Sequence, residues 1–167
     1  MSIVLAIDPG PTQSGYAYLD TDSYRPLAHA KIPNSELLPM LRYRPRAEQP
    51  DIAVIEMVAS YGMPVGKEVF TTVLWIGRFF EALDRARVPC ELIERMAVKM
   101  HFCHSVNAGD ATIRQALVDR FATGTRNHGK GTKGAPGWFY GFAQDVWSAY
   151  ALAVLAADKT AQPDKIA

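Results

Sequence analysis

Residues 5–20 read LAIDPGPTQSGYAYLD, an apolar run that delivers a carboxylate, Asp8, straight into a Pro-Gly turn. Pro9 and Gly10 suit a sharp exit from a strand, but a turn has no need of an acid at the last strand position. An acid there is ordinarily a solvated residue or a turn cap. Asp8 is a special case because residues 3–7, IVLAI, are wholly apolar and read as a buried strand. A carboxylate ending such a strand needs a cation or hydrogen-bond donors; left unpaired in a low-dielectric setting it takes up a proton.

Outward from this stretch, GYAYLD (15–20) and YRPLAHAKI (24–32) read as further strands, giving an antiparallel meander. SELLPMLRYRPRAEQP (35–50) has a helical pattern interrupted by Pro39 and Pro45, so any helix there is expected to be short or broken. DIAVIEMV (51–58) is a β-branched strand that ends at Glu56, and VPCELIERM (88–96) reads as another inner strand. Between them a helix is predicted from Lys67 to Arg87, with Val69, Val73, Ile76, Phe80 and Leu83 in one stripe. Phe70, Leu74, Trp75 and Phe79 widen that stripe, so the helix is either central in the core or part of a subunit interface. A short helix is expected in AVKMHFCHSV (97–106), a longer one behind Asp110, and a last one from about Ala143 to Asp158. Strands, then a strand–helix–strand unit, then helices make a mixed α/β layout. One domain over residues 1–160 is expected, with chain from Lys159 frayed and 161–167 a disordered tail.

Composition narrows the class. The 167 residues are 49% hydrophobic and 21% charged, enough to bury a real core. No apolar run reaches the roughly 18 residues needed to span a bilayer, and the start lacks the pattern of a secretory leader. With Cys90 and Cys103 as the two cysteines, reduced thiols and a cytoplasmic location are expected. A net charge of +1 excludes a globally basic nucleic-acid binder, yet leaves room for a local basic patch.

Three acids fall where elements start or stop: Asp8, Glu56 and Asp145, the last opening the final helix. If the strands of Asp8 and Glu56 are neighbours, both carboxylates sit at one end of the sheet, and the first turn of the last helix can face them. Converging carboxylates repel and raise one another's pKa unless divalent cations lie between them. Hard oxygen ligands select Mg²⁺ or Mn²⁺, and a pair of ions about 4 Å apart suits in-line attack of water on a phosphodiester.

These residues resemble a known family, the RuvC-like Holliday junction resolvases of the ribonuclease H-like superfamily. LAIDPGPTQSGYAYLD is similar to its first strand, with Gly15-Tyr16 following the Asp-Pro-Gly; AVIEMV resembles the second acidic motif, and QDVWSAYALAVLA the final acidic helix. The likeness spans roughly residues 3–157 and looks nearest to the phage or prophage-type branch, in which IRQAL and a GTKGAPG-like loop occur together. It implies a mixed five-stranded sheet with helices on both faces, two Mg²⁺ ions per site with Mn²⁺ as a substitute, and a homodimer built on the long helix. It also implies that branched DNA, four-way junctions above all, is the partner, cut by paired nicks. Lys99, in AVKM, stands where the family places a lysine near the active site; a plain surface lysine is the other reading.

The sequence departs from the family pattern in its last helix and after Glu56. The family carries two acids three residues apart on the last helix, whereas here Asp145 is followed by Ser148. Asp110 is the candidate substitute for the missing carboxylate and metal ligand, or else an ordinary helix N-cap. Where bacterial members place an aromatic three residues after the second acid, this chain has Ala59, so Tyr61 is expected to stack on the junction instead. RNHGKGTKGAPGWFY puts Arg126, Lys130 and Lys133 in a Gly-rich segment suited to phosphate contact or simply solvated. With Tyr61 and with Lys67 at the start of the long helix, they make the expected DNA-binding set. HFCH suggests zinc through His101, Cys103 and His104, but no second ligand pair stands at zinc spacing. Two rival functions remain: a junction-binding protein without catalysis, which Ser148 favours, and a phosphate-binding domain of the actin and sugar-kinase type.

Overall fold

Strand β1 (Ile3–Asp8) lies in the middle of a five-stranded sheet in the computed structural model, which describes residues 1–161. It pairs antiparallel with β2 (Gln13–Asp20), which pairs antiparallel with β3 (Pro26–Pro33). On its other side β1 runs parallel to β4 (Ile52–Met57), and β4 parallel to β5 (Cys90–Glu94), giving the order β3-β2-β1-β4-β5. The helices are α1 (Asn34–Tyr43), α2 (Lys67–Arg85), α3 (Arg95–Cys103), α4 (Asp110–Phe121) and α5 (Gln144–Ala161).

Both faces of the sheet are covered, as expected for a central sheet with parallel pairs. Leu5, Ile7, Ala53 and Ile55 pack toward α1 and α2, while Val4, Ala6, Ala17, Leu19 and Val54 pack toward α5 and the elements behind it. This strict alternation is the pleat of the strands. Asp8 and Glu56 each lie two residues beyond a side chain on the α5 face, Ala6 and Val54, so both carboxylates emerge on that face. Helix α5 is buried from Val146 to Ala157 except at half-buried Ser148, and its alanines at 149, 151, 153, 156 and 157 let it lie close to the sheet.

The turn after Asp8 is pinned by a closed ring of hydrogen bonds. The Gly10 N–H donates to Ser14 Oγ (3.2 Å), whose hydroxyl donates to Asn34 Oδ1 (2.6 Å), and Asn34 Nδ2 donates back to the Gly10 carbonyl (2.9 Å). Ser14 and Asn34 are almost fully buried, so their side-chain bond is shielded from water, while Gly10 is half-buried.

Several expectations need correction. VPCELIERM forms an edge strand, not an inner one, and Leu92 on it is exposed. Pro39 lies inside α1 without ending it, because Leu37, Leu38 and Leu41 anchor the helix in the core; the chain becomes extended at Arg44, just before Pro45. Helix α2 buries one side only, through Thr72, Ile76, Phe79, Ala82 and Leu83, and leaves Phe70 and Leu74 exposed. Lys159–Ala161 continue α5 instead of fraying, while 162–167 of the expected tail lie outside the described residues.

At the far end of α5, Asp158 ties three elements together. It accepts two hydrogen bonds from Arg120 (2.7 and 2.8 Å), one from the Tyr24 hydroxyl (2.8 Å), and pairs with His101 Nε2 (2.7 Å). Burial alone raises a carboxyl, but these partners outweigh it and hold Asp158 well below the usual range. A depressed folded-state pKa stabilises the protein above the unfolded carboxyl's pKa, and that contribution is lost as pH falls toward the folded value. Asp158→Asn is therefore expected to cost roughly 2–4 kcal/mol at pH 7, read as a lower urea midpoint with unchanged slope. The difference from wild type should shrink in acid.

Candidate active site

Three strands meet α5 in one transverse row. Asp8 on β1 pairs with Gly15 on β2, and Gly15 pairs with Lys31 on β3. Asp145, in the first turn of α5, sits directly on Gly15. A Cβ at that position would lie 2.5 Å from the Asp145 carbonyl oxygen and 2.8 Å from its Cβ. The glycine thus opens the gap into which Asp145 fits, between Asp8 and Lys31, and Lys31 forms an ion pair with the Asp145 carboxylate.

Glu56 comes from the adjacent parallel strand, whose Ile55 is in register with Ile7. It pairs with Arg95 (3.3 Å), the first residue of α3, and the same guanidinium also pairs with Asp110. The cluster is thus a central carboxylate, Asp8, flanked by Asp145 with Lys31 and by Glu56 with Arg95. Among the described residues Asp8 has no ion-pair partner of its own.

Its chemistry shows this. Burial, then the nearby charges of Glu56 and Asp145, push the Asp8 carboxyl up from 3.8 to about 7; Arg95 and a hydrogen bond with Ser148 only partly oppose them. Burial raises Glu56 as well, against the attraction of Arg95. Three carboxylates and a serine hydroxyl are hard oxygen donors, and the charge they crowd around Asp8 is what a divalent cation relieves, so the donor set suits one. As they stand, no three acidic, histidine or cysteine side chains among the described residues are grouped tightly enough to enclose an ion.

The other expected residues fall at graded distances from this centre. Asp110 is not an N-cap: that position is Gly109, and Asp110 is the first helical residue, linked to the cluster through Arg95. Lys99 and Tyr61 line one hollow with Glu56 and Arg95, where Lys99 Nζ lies 3.4 Å from the Val106 carbonyl and the Tyr61 hydroxyl donates to Glu94 (3.3 Å). Lys130 lines a second hollow with Ser148 and Arg95. Lys67, Arg126 and Lys133 are exposed and line none of the hollows that touch the carboxylates. Sequence reasoning missed Lys31 and Arg95. Neither stands in a motif, and only strand register and the start of α3 bring them in; Arg95 directly after the end of β5 was the one readable signal.

In comparisons with solved structures the chain matches RuvC of Thermus thermophilus in complex with a Holliday junction substrate, at TM-score 0.72 and 14% identity, covering 98% of this chain and 97% of that one. It also matches a Thermus thermophilus RuvC structure at TM-score 0.67 and 17% identity, covering 96% of each chain. No family model and no curated protein matches the sequence. The chain has the ribonuclease H-like fold in its RuvC arrangement.

The raised Asp8 carboxyl carries a stability prediction. Between about pH 4 and pH 7 the folded state keeps a proton that the unfolded state has lost, so stability falls as pH rises through that window. Asp8→Asn is expected to make the protein more stable than wild type at pH 8 in chelator, by roughly 2–4 kcal/mol, with little difference at pH 4. Thermal melts of both proteins at the two pH values check this. A destabilised variant at pH 8 would show that Asp8 is not held against its charge.

Proposed function

We propose that the protein is a metal-dependent endonuclease that nicks branched DNA, with four-way junctions as its substrate. The observation that carries the reading is the crowded Asp8 carboxyl between Glu56 and Asp145 at the strand ends of a RuvC-type sheet. The RuvC that this chain resembles in fold was solved with a Holliday junction substrate, which supports branched DNA as the partner here. In this reading Asp8, Glu56 and Asp145 hold two Mg²⁺ ions, or Mn²⁺ in their place. Asp110, which shares Arg95 with Glu56, is the fourth carboxylate of the set. Bound metal supplies Lewis acidity toward the phosphodiester and lowers the pKa of the attacking water.

The chain's own side chains do the positioning. Lys31 neutralises Asp145, and Arg95 neutralises Glu56 and Asp110, so the cationic side chains of the site lie beside the carboxylates that would hold the metal. Lys99, in the hollow beside Glu56, is assigned to orienting the nucleophile or the scissile phosphate. Tyr61, Lys67, Arg126, Lys130 and Lys133 form the wider DNA contact, Tyr61 at the branch point and the basic residues on the phosphates. Phe70, Val73, Leu74 and Phe80 leave an apolar band on α2, which supports a two-fold homodimer that presents two sites to opposing strands.

A gel assay of a four-way junction against linear duplex, with Mg²⁺ and with chelator, tests the activity. Nicking of the junction alone, only with metal, is expected, and Asp8→Asn should lower it by about 10³-fold, or roughly 4 kcal/mol. Binding without nicking in Mg²⁺ and Mn²⁺ would favour the inactive junction binder that Ser148 keeps open. Cation binding has its own readout: at pH 8, saturating Mg²⁺ should raise the melting temperature of wild type and leave Asp8→Asn unmoved. For the dimer, Leu74→Glu is expected to halve the mass seen by sedimentation; a wild-type monomer at all concentrations would exclude it.

A further inference from the structure

A hollow of about 360 Å³ opens beside the carboxylates, between α4, α5 and the segment 122–143. Its volume falls in the roughly 300–1,000 Å³ range of small-ligand sites. Three of its lining residues belong equally to the candidate active site: Ser148, whose hydroxyl acts to lower the Asp8 carboxyl, Arg95, which pairs with Glu56, and Asp110, which pairs with the same guanidinium. The hollow is therefore the immediate neighbour of the place where a phosphodiester would react.

Apart from the Arg95–Asp110 ion pair, where the acid is already neutralised, its walls are of two kinds. Ile113, Leu117 and Trp147 give it an apolar floor, and each of these side chains is buried in the core. Arg114 and Lys130 give it positive walls, and among the described residues neither has an ion-pair or side-chain hydrogen-bond partner. Arg114 follows Asp110 by one helical turn and so shares its face of α4. Lys130 is held firmly despite its Gly-rich surroundings. Its N–H donates to the Asn127 carbonyl (3.1 Å), its carbonyl accepts from the Gly137 N–H (2.8 Å), and Gly129 beside it is packed so tightly that a Cβ would come within 2.7 Å of Ala122 and Phe139. Two unpaired, half-buried cations over an apolar floor suit a ligand with one anionic and one flat apolar end.

We propose that this hollow binds one unstacked nucleotide of the DNA strand being cut, adjacent to the scissile phosphodiester, with its phosphate between Arg114 and Lys130 and its base on the apolar floor. Gln144, also on the rim, supplies an amide that can donate to and accept from a base edge. The consequence is a source of selectivity. Unstacking a nucleotide costs least where pairing is already interrupted, so the hollow favours cutting beside a branch point over cutting in continuous duplex. The inference rests on the junction-nuclease reading above and adds to it a specificity site that the carboxylate cluster does not need.

The test uses four-way junctions carrying single 2-aminopurine substitutions at successive positions around the branch point, bound in chelator so that no strand is cut. Binding is followed separately by gel shift. Wild type is expected to raise the fluorescence several-fold at one position, beyond any general rise from opening of the branch point. Ala111→Trp, at an exposed lining residue, fills the hollow; it should abolish that one rise while the junction stays bound within about threefold. Arg114→Ala with Lys130→Ala should abolish it too and reduce the slope of log affinity against log salt by about one. Junction binding with no distinct rise, or a rise that survives Ala111→Trp, overturns this inference and leaves the nuclease reading standing. Failure of wild type to bind the junction overturns both.

Discussion

The close approach of Asp145 to Gly15 is the contact on which the candidate site depends. It joins the last helix to the second strand at the point where that strand pairs with Asp8, and it works only because position 15 has no side chain. Any larger residue would lift the first turn of α5 off the sheet and carry Asp145 away from Asp8 and Lys31. The ring of Gly10, Ser14 and Asn34 serves the same end from the other side, since it holds the turn that carries the chain away from the sheet just after Asp8.

Helix α5 is consequently stressed at one end and secured at the other. Near its start, burial and the neighbouring acids push the Asp8 carboxyl up until it tends to keep a proton near neutrality, an arrangement that lowers stability as pH rises. Near its end, Asp158 meets Arg120, His101 and Tyr24 and is held ionised. Between them lies a nearly continuous buried stretch of small and aliphatic side chains. A helix anchored so deeply can present a strained carboxylate cluster without shifting, because moving it would open the core on one whole face of the sheet.

Much of this was readable beforehand. The strands around Asp8 and Glu56 announce themselves by apolar runs that stop at an acid, and the pleat then forces both acids onto one face once the strands are neighbours. The misreadings have physical causes. VPCELIERM looks like an inner strand because Val88, Ile93 and Cys90 suggest burial, yet no strand among the described residues pairs with its outer edge. Asp110 looks like a cap, but Gly109 takes that place and frees the carboxylate for Arg95. The breadth of the apolar surface on α2 is plain in the sequence, while the side that stays exposed is set by where α1 docks.

The sequence alone determined the mixed α/β layout, the three acids at element ends and the unusual demand placed on Asp8, because each follows from local pattern and from the cost of burying a charge. Tertiary structure alone decided which groups answer that demand. Lys31 and Arg95 lie far from the acids along the chain, and their pairings exist only through strand register and the placement of α3. The same holds for the hollow beside Ser148, where Arg114 and Lys130 come from separate elements and meet only after α4, α5 and the Gly-rich segment pack together. Charge pairing across a fold is a long-range property, and no local pattern of residues encodes it.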